Sequence, residues 1–254
     1  MNTPTIRACK GIRELEACVA LQKEVWNFDD VDLIPLRLFV VATKIGGQAI
    51  GAFDGDELVG FAMSIPGTRN GNPYLHSHML AVRESFRNTG LGRKLKLAQR
   101  DDALARGILL IEWTFDPLEI KNAWLNIERL GAIARRYNPN QYGMSSSPLQ
   151  GGLPTDRLVA EWWLDSQRVN SVLAGSNPRA ETEIRISVPA GIYDWKRSAD
   201  PRATEVQTQN RQLFQKSFSD GLAVLRFQRD AQKNGTYLLG RWNEDLNFGS
   251  ADLG

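Results

Sequence analysis

Apolar and polar positions fall into blocks along the chain, and the blocks describe a mixed α/β protein. Thr5 to Lys10 reads as a short strand. From Gly11 to Asn27 the residues Ile12, Leu15, Val19 and Trp26 share one helical face, and Leu33 to Thr43 reads as a second helix or turn. Gln48 to Phe53 and Glu57 to Pro66 are apolar runs on either side of Asp54-Gly55-Asp56, a hairpin signal. Thr68 to Pro73 is polar and reads as a loop. Tyr74 to Val82 is again a strand, aromatic and aliphatic with no Gly or Pro. A charged turn follows, and then Leu91, Leu95, Ala98 and Ala105 recur at helical spacing. Gly107 suits the residue just past that helix.

Ile108 to Phe115 is short and apolar without alternation, the pattern of a buried parallel strand. Ile120 to Leu130 predicts a helix closed by Gly131. Ala132 to Asn138 predicts a strand, 140–155 a loop rich in Gly, Ser and Pro, and Arg157 to Asp165 a further strand. Beyond residue 167 the pattern continues as strand, helix, strand, strand. Thr182 to Pro189 comes first, after a linker at Ser176 to Arg179. Asp200-Pro201 then starts a helix that ends at Gly221, because Asp caps and Pro tolerates the first helical position. Leu222 to Arg229 and Gly235 to Trp242 flank the turn Lys233-Asn234-Gly235.

Composition narrows the classes. The 254 residues are 42% hydrophobic and 24% charged, as in ordinary globular proteins. A net charge of +2 without a basic block argues against a nucleic-acid partner. Two cysteines, Cys9 and Cys18, are too few for a disulfide scaffold or a cysteine-built zinc site, and suit a reducing cytoplasm. The apolar region from Leu33 to Phe53 is broken by Arg37, Lys44 and three glycines, so no membrane span is expected. The first residues carry no long apolar core of the signal-peptide kind.

Candidate chemistry gathers at Arg87-Asn88-Thr89-Gly90-Leu91-Gly92-Arg93, between the strand at 74–82 and the helix that follows. Gly90 and Gly92 have no Cβ, so backbone N–H groups can approach a phosphate closely. The helix start adds its unpaired N–H groups and positive dipole end. Arg87 and Arg93 supply charge that does not titrate. The spacing R/Q-x-x-G-x-G/A is weak by itself, and its place between strand and helix makes it informative. The plainer alternative is a glycine-rich helix start with no ligand. No Gly-Lys-Ser/Thr follows, so it is not a Walker-type loop.

The unit from Leu80 to Gly107 resembles the acyl-CoA site of the GNAT superfamily of N-acyltransferases, and the resemblance extends over about residues 5–167. It implies an α/β (α+β) GNAT fold: a mixed, mostly antiparallel central sheet flanked by helices. Residues 1–167 would form the acyl-CoA-binding catalytic domain. Residues 168–254 would be a β-α-β-β extension packed on the core or on a partner subunit, which admits a homodimer. By the same resemblance Arg87 to Arg93 hold the CoA pyrophosphate, and Leu80, Ala81 and Val82 pair with the pantetheine arm. Asn122 and Asn126 would hydrogen-bond that arm. Acetyl-CoA or another acyl-CoA would be the co-substrate, with no metal. The activity implied is transfer of an acetyl or larger acyl group, such as succinyl, to a small-molecule amine by direct attack. A protein N-terminus or lysine as acceptor, or acyl-CoA binding without catalysis, are the rival readings.

Such a reaction needs a base for the amine and a proton for the leaving thiolate. His76 and His78, the only histidines, lie two residues apart on one strand. His76 falls near the family's base position, and an imidazole titrates near neutrality. The alternative is that both are structural; a metal pair lacks a third ligand. Glu112, charged within an apolar strand, is a second base candidate or a salt-bridge residue. The family's usual tyrosine acid aligns with Ile127, so Tyr137 or Tyr142 is left as the acid unless water serves. Arg135 and Arg136 are candidates to read a carboxylate, or ordinary surface arginines. Trp26, Phe28, Leu36 and Phe39 would line the acceptor groove or, more simply, form core.

Overall fold

The computed structural model describes residues 3–27, 29–143, 150–176 and 178–242. They form two compact units, one of residues up to Glu112 and one from Trp113 on. The boundary expected near residue 167 lies inside the second unit. Phe28 and part of the 140–155 loop lie outside the described residues.

The first unit runs β1 (Thr5–Ala8), α1 (Gly11–Trp26), α2 (Leu36–Lys44), β2 (Gln48–Asp54), β3 (Glu57–Arg69), β4 (Asn72–Val82) and α3 (Leu91–Ala105), and reaches the start of β5 (Leu110–Phe115). Strands β1 to β4 pair antiparallel in sequence order. Strand β5 joins β4 in parallel, with Leu75 opposite Ile111 and His76 opposite Glu112. Leu15, Cys18 and Leu21 of α1 and Phe39 and Ala42 of α2 pack on one face, against Phe61, Met63 and Met79. Leu91 and Leu95 of α3 pack on the other, against Ile50, Ala52, Val59 and Ala62. Apolar contact on both faces is why these strands read as unbroken apolar runs.

Two local features depart from expectation. The polar stretch 68–73 is not a loop. Strands β3 and β4 extend through it and meet at Asn70-Gly71, both with positive φ, 49° and 77°. Two left-handed central residues suit the right-handed twist of a tight hairpin, which is why Asn-Gly serves there. Further along, Met63 pairs with Met79 but Ser64 pairs with Ser77, so β4 carries one extra residue, His78. Such a bulge switches the facing of the strand. Above it Leu80 and Val82 join the α3 core while Met79 and Ala81 join the α1–α2 core. Below it Ser77 turns towards α3, where Lys96 Nζ donates to its Oγ at 2.8 Å.

The second unit continues with α4 (Ile120–Ala123), β6 (Ile133–Asn138), β7 (Arg157–Trp163), α5 (Gln167–Leu173), β8 (Ile184–Val188), α6 (Ile192–Arg197), α7 (Pro201–Ser219), β9 (Leu222–Arg229) and β10 (Gly235–Arg241). Its strands lie in the order β7-β6-β9-β10-β8, each antiparallel to its neighbour. The extension therefore enters the sheet beside β6, with Val224 opposite Ala134. Phe214 of α7 packs on Tyr137 and Tyr237, and Tyr237 on Phe227. The regular helix expected over 120–130 is a single α turn followed by a π-helical segment, Trp124–Arg129. Helices α5 and α6 were not expected; at seven and six residues they are too short for a periodic signal. No helix of the described residues is long and apolar enough to cross a membrane.

Candidate active site

The site is built from the end of β4 and the start of α3. After β4 the chain makes a 3-10 turn over Glu84–Phe86, and Thr89 Oγ1 donates to the Phe86 carbonyl at 2.7 Å. Gly90 then adopts φ 85°, a left-handed conformation that a side chain would strain, and starts α3. No side chain among the described residues caps this end, and the first turn holds no acidic residue. Arg87, Asn88, Thr89 and Gly90 are exposed. Arg87 Nε donates to the Val82 carbonyl at 3.3 Å, which anchors the guanidinium over the strand end. Gly92 lies over Leu80 and Val82, where an added Cβ would make only ordinary contacts. The result is a fifteen-residue helix whose first N–H groups open to solvent beside an arginine, a site suited to a phosphate.

The strand leading to this loop also has an open edge. Among the described residues, β5 pairs with β4 only at Leu75 and His76. From the bulge to Val82, alternate N–H and C=O groups point away from β3. Leu80, Ala81 and Val82 therefore offer main-chain partners to an extended, amide-containing ligand.

On the face opposite α3, His76 stands in register with Glu112. Glu112 is 3% exposed and accepts from Arg69 Nη2 at 2.6 Å. The carboxylate is thus in a buried ion pair, the salt-bridge alternative for this residue. The His76 and His78 rings stand 6.1 Å apart, and burial pushes the His78 imidazole below its usual range. Of the proposed groove residues, Phe39 is fully buried core, and Trp26 and Leu36 pack against that core.

The second unit holds the remaining candidates. Asn122 is exposed and Asn126 is 5% exposed within the π-helical segment. Ile127, at the position of the family's acid, is fully buried core. Tyr137 is buried, and its hydroxyl donates to Asp156 at 2.6 Å. Asp156 also accepts two bonds from Arg211, at 2.8 and 2.9 Å. Burial, reinforced by Asp156, holds the Tyr137 phenol well above its usual range. A proton so committed is poorly placed for donation elsewhere. Tyr142 differs: it is 49% exposed, and its hydroxyl lies 2.8 Å from Thr114 Oγ1. Arg135 and Arg136 are not carboxylate readers waiting for a ligand, since both engage the buried Glu161, at 2.5 and 3.4 Å.

Sequence reasoning missed the polar residues under β4. Lys96 and Gln99 of α3 are buried, on the stripe that also holds Leu91, Leu95 and Ala103. Their spacing on that apolar face was the available signal.

Residues 13–123 match the sequence model of the acetyltransferase (GNAT) family. Over that stretch the chain is similar to GNAT acetyltransferases. Several solved GNAT structures share the fold. The ribosomal-protein-S18-alanine N-acetyltransferase from Escherichia coli superposes with a TM-score of 0.51 at 15% identity, over 64% of this chain and 95% of that one. Aminoglycoside 6'-acetyltransferase type Ii gives 0.51 at 20% identity, over 64% and 99%. The Salmonella typhimurium protein yncA, solved with its cofactor acetyl-CoA, gives 0.51 at 16% identity, over 65% and 96%. No curated protein matches the sequence. The element order β-α-α-β-β-β-α-β-α-β-β is the one that the resemblance implied for the family.

Proposed function

We propose that this protein transfers an acyl group from a CoA thioester to the amine of a small molecule, by direct attack and without a covalent enzyme intermediate. The observation that carries the reading is the uncapped start of α3 behind Gly90, beside the unpaired edge of β4. A CoA thioester has a pyrophosphate and an amide-rich arm, and these two features match the two binding elements. Arg87, Asn88, Thr89, Gly90, Leu91, Gly92 and Arg93 hold the pyrophosphate by backbone N–H groups and guanidinium charge. Leu80, Ala81 and Val82 fix the arm by main-chain hydrogen bonds and so place the thioester. Two sources support acyl-CoA as the co-substrate: the family match and the acetyl-CoA bound in yncA.

His76 is the base in this reading, directly or through water. Its competitor Glu112 is held by Arg69 in a buried ion pair, and an imidazole is the side chain suited in kind to proton transfer near neutrality. Tyr142 is the better acid candidate, since the Tyr137 hydroxyl is committed to Asp156. Asn122, exposed at the start of α4, remains a candidate for the arm. Acyl-CoA binding without catalysis is the second reading, favoured by the apolar Ile127 where the family has its acid.

Thermal unfolding with CoA, acetyl-CoA and succinyl-CoA tests the proposal first. A ligand that binds only the folded chain raises the melting temperature. An unchanged melting temperature with all three would overturn the acyl-CoA reading. Turnover of the stabilising thioester on an amine panel then separates the alternatives. Small amines acylated is the expected result; peptides alone acylated would move the acceptor class; binding without any acylation would favour the second reading.

A further inference from the structure

Buried polar side chains need partners inside the protein, and the first unit gathers five of them between α3 and the sheet. Gln48, Ser64, Ser77, Lys96 and Gln99 are each 5% exposed or less. Lys96 Nζ donates to Ser77 Oγ at 2.8 Å and lies 3.3 Å from Gln99 Oε1. Ser77 Oγ donates to the same Gln99 oxygen at 2.9 Å. Gln48 Nε2 donates to the Gln99 carbonyl at 2.9 Å and to Asp102 Oδ2 at 2.7 Å, and Ser64 Oγ donates to Gln48 Oε1 at 2.9 Å. The bonds link β2, β3, β4 and α3.

Their position matters more than their number. Ser64 and Ser77 are the cross-strand pair directly beside the bulge, and both hydroxyls enter the network. An apolar filling would pack against β4 equally well in neighbouring registers. Hydrogen bonds are directional, so a buried network that joins both strands and α3 favours one register, although Gln99 Nε2 has no hydrogen-bond partner of its own among the described residues. A slip of one residue would turn Ser77 away from α3 and His76 towards it. Burial also pushes the Lys96 ammonium well below its ordinary range.

We propose that Lys96, acting through Ser77 and Gln99, is a positioning residue that holds the β4 bulge at His78 and so keeps His76 on the face it shares with Glu112. The catalytic consequence rests on the acyltransferase reading above; the positional one does not.

The chain has only two histidines, which makes the test direct. Ring-labelled histidine gives one imidazole signal set for His76 and one for His78. In Lys96→Met both sets should move or broaden, while Lys44→Met, on the exposed side of α2, should leave them in place. Lys96→Gln keeps a donor for Ser77 and should return the signals towards the wild-type positions. In turnover, Lys96→Met should lower kcat about a hundredfold, the cost of a misplaced group, and change CoA affinity little. Imidazole signals in a folded Lys96→Met protein that superpose on wild type would overturn the proposal. So would equal behaviour of the Met and Gln variants. If Lys96→Met does not fold, Ser77→Ala is read in the same way. A wild-type protein that acylates nothing would end the acyltransferase reading and leave the imidazole test standing.

Discussion

Helices α3 and α7 begin in opposite ways. Helix α7 closes its own start: Asp200 Oδ1 accepts from the Arg202 N–H at 3.0 Å, and Pro201 removes one N–H that would need a partner. Hydrogen bonds from Arg202 hold the Asp200 carboxyl at about 2, so the cap stays charged. Helix α3 begins with a left-handed glycine, no side-chain cap among the described residues and no acid in its first turn. Both ends carry the same backbone dipole. One is neutralised from within the chain and serves the fold, and the other has no side-chain cap among the described residues. A helix start thus becomes a candidate binding site by what it lacks, together with the arginine placed beside it.

The sharpest way to break this contrast is to give α3 a carboxylate of its own. Gly90→Glu should abolish CoA binding in calorimetry, while Gly90→Ala, which adds the backbone strain without the charge, should retain measurable affinity. Equal loss in both would trace the effect to strain. The next effect is chemical. His76→Ala should lower kcat by roughly a hundredfold or more, as removal of a general base does, with CoA affinity unchanged in the same calorimeter. Activity equal to wild type across pH would reject His76 as the base. A smaller effect separates the two tyrosines. Tyr137→Phe should lower unfolding free energy by about 1 kcal/mol, the usual net worth of a hydrogen bond. Tyr142→Phe should leave stability unchanged and lower kcat. The smallest change sharpens the contrast from the other end. Asp200→Ala opens the start of α7, and should cost a few degrees in melting temperature at most with no gain or loss of CoA affinity.

Much of this is legible in the sequence alone. The hairpin at Asp54-Gly55-Asp56, the helix from Asp200-Pro201 to Gly221 and the strand–loop–helix at 74–107 all appear where local pattern put them. Each is specified by residues a few positions apart, through turn chemistry, capping and periodicity. The Asn70-Gly71 turn was equally local and was missed because the polar residues around it resemble a loop. The π-helical segment at Trp124–Arg129 had no local signal, since its residues would also serve an α-helix. The candidate site divides along the same line. The anion loop could be read from Arg87 to Arg93 alone. The engagement of Glu112 by Arg69 could not, nor could that of Arg135 and Arg136 by Glu161, because each pair is brought together by strand register.

The sequence by itself determined the order of elements as far as β7, the glycine-led start of α3 and the residue types available for chemistry. Tertiary structure decided which of those residues are engaged. It placed Tyr137 on Asp156, Lys96 under Ser77, and the extension strand β9 beside β6. The physical reason is range. Backbone preference and capping act over a few residues and leave a trace in the local pattern. Burial and pairing of these side chains depend on partners 19 to 55 positions away, as for Tyr137 with Asp156 (19), Glu112 with Arg69 (43) and Asp156 with Arg211 (55). No local pattern carries that information.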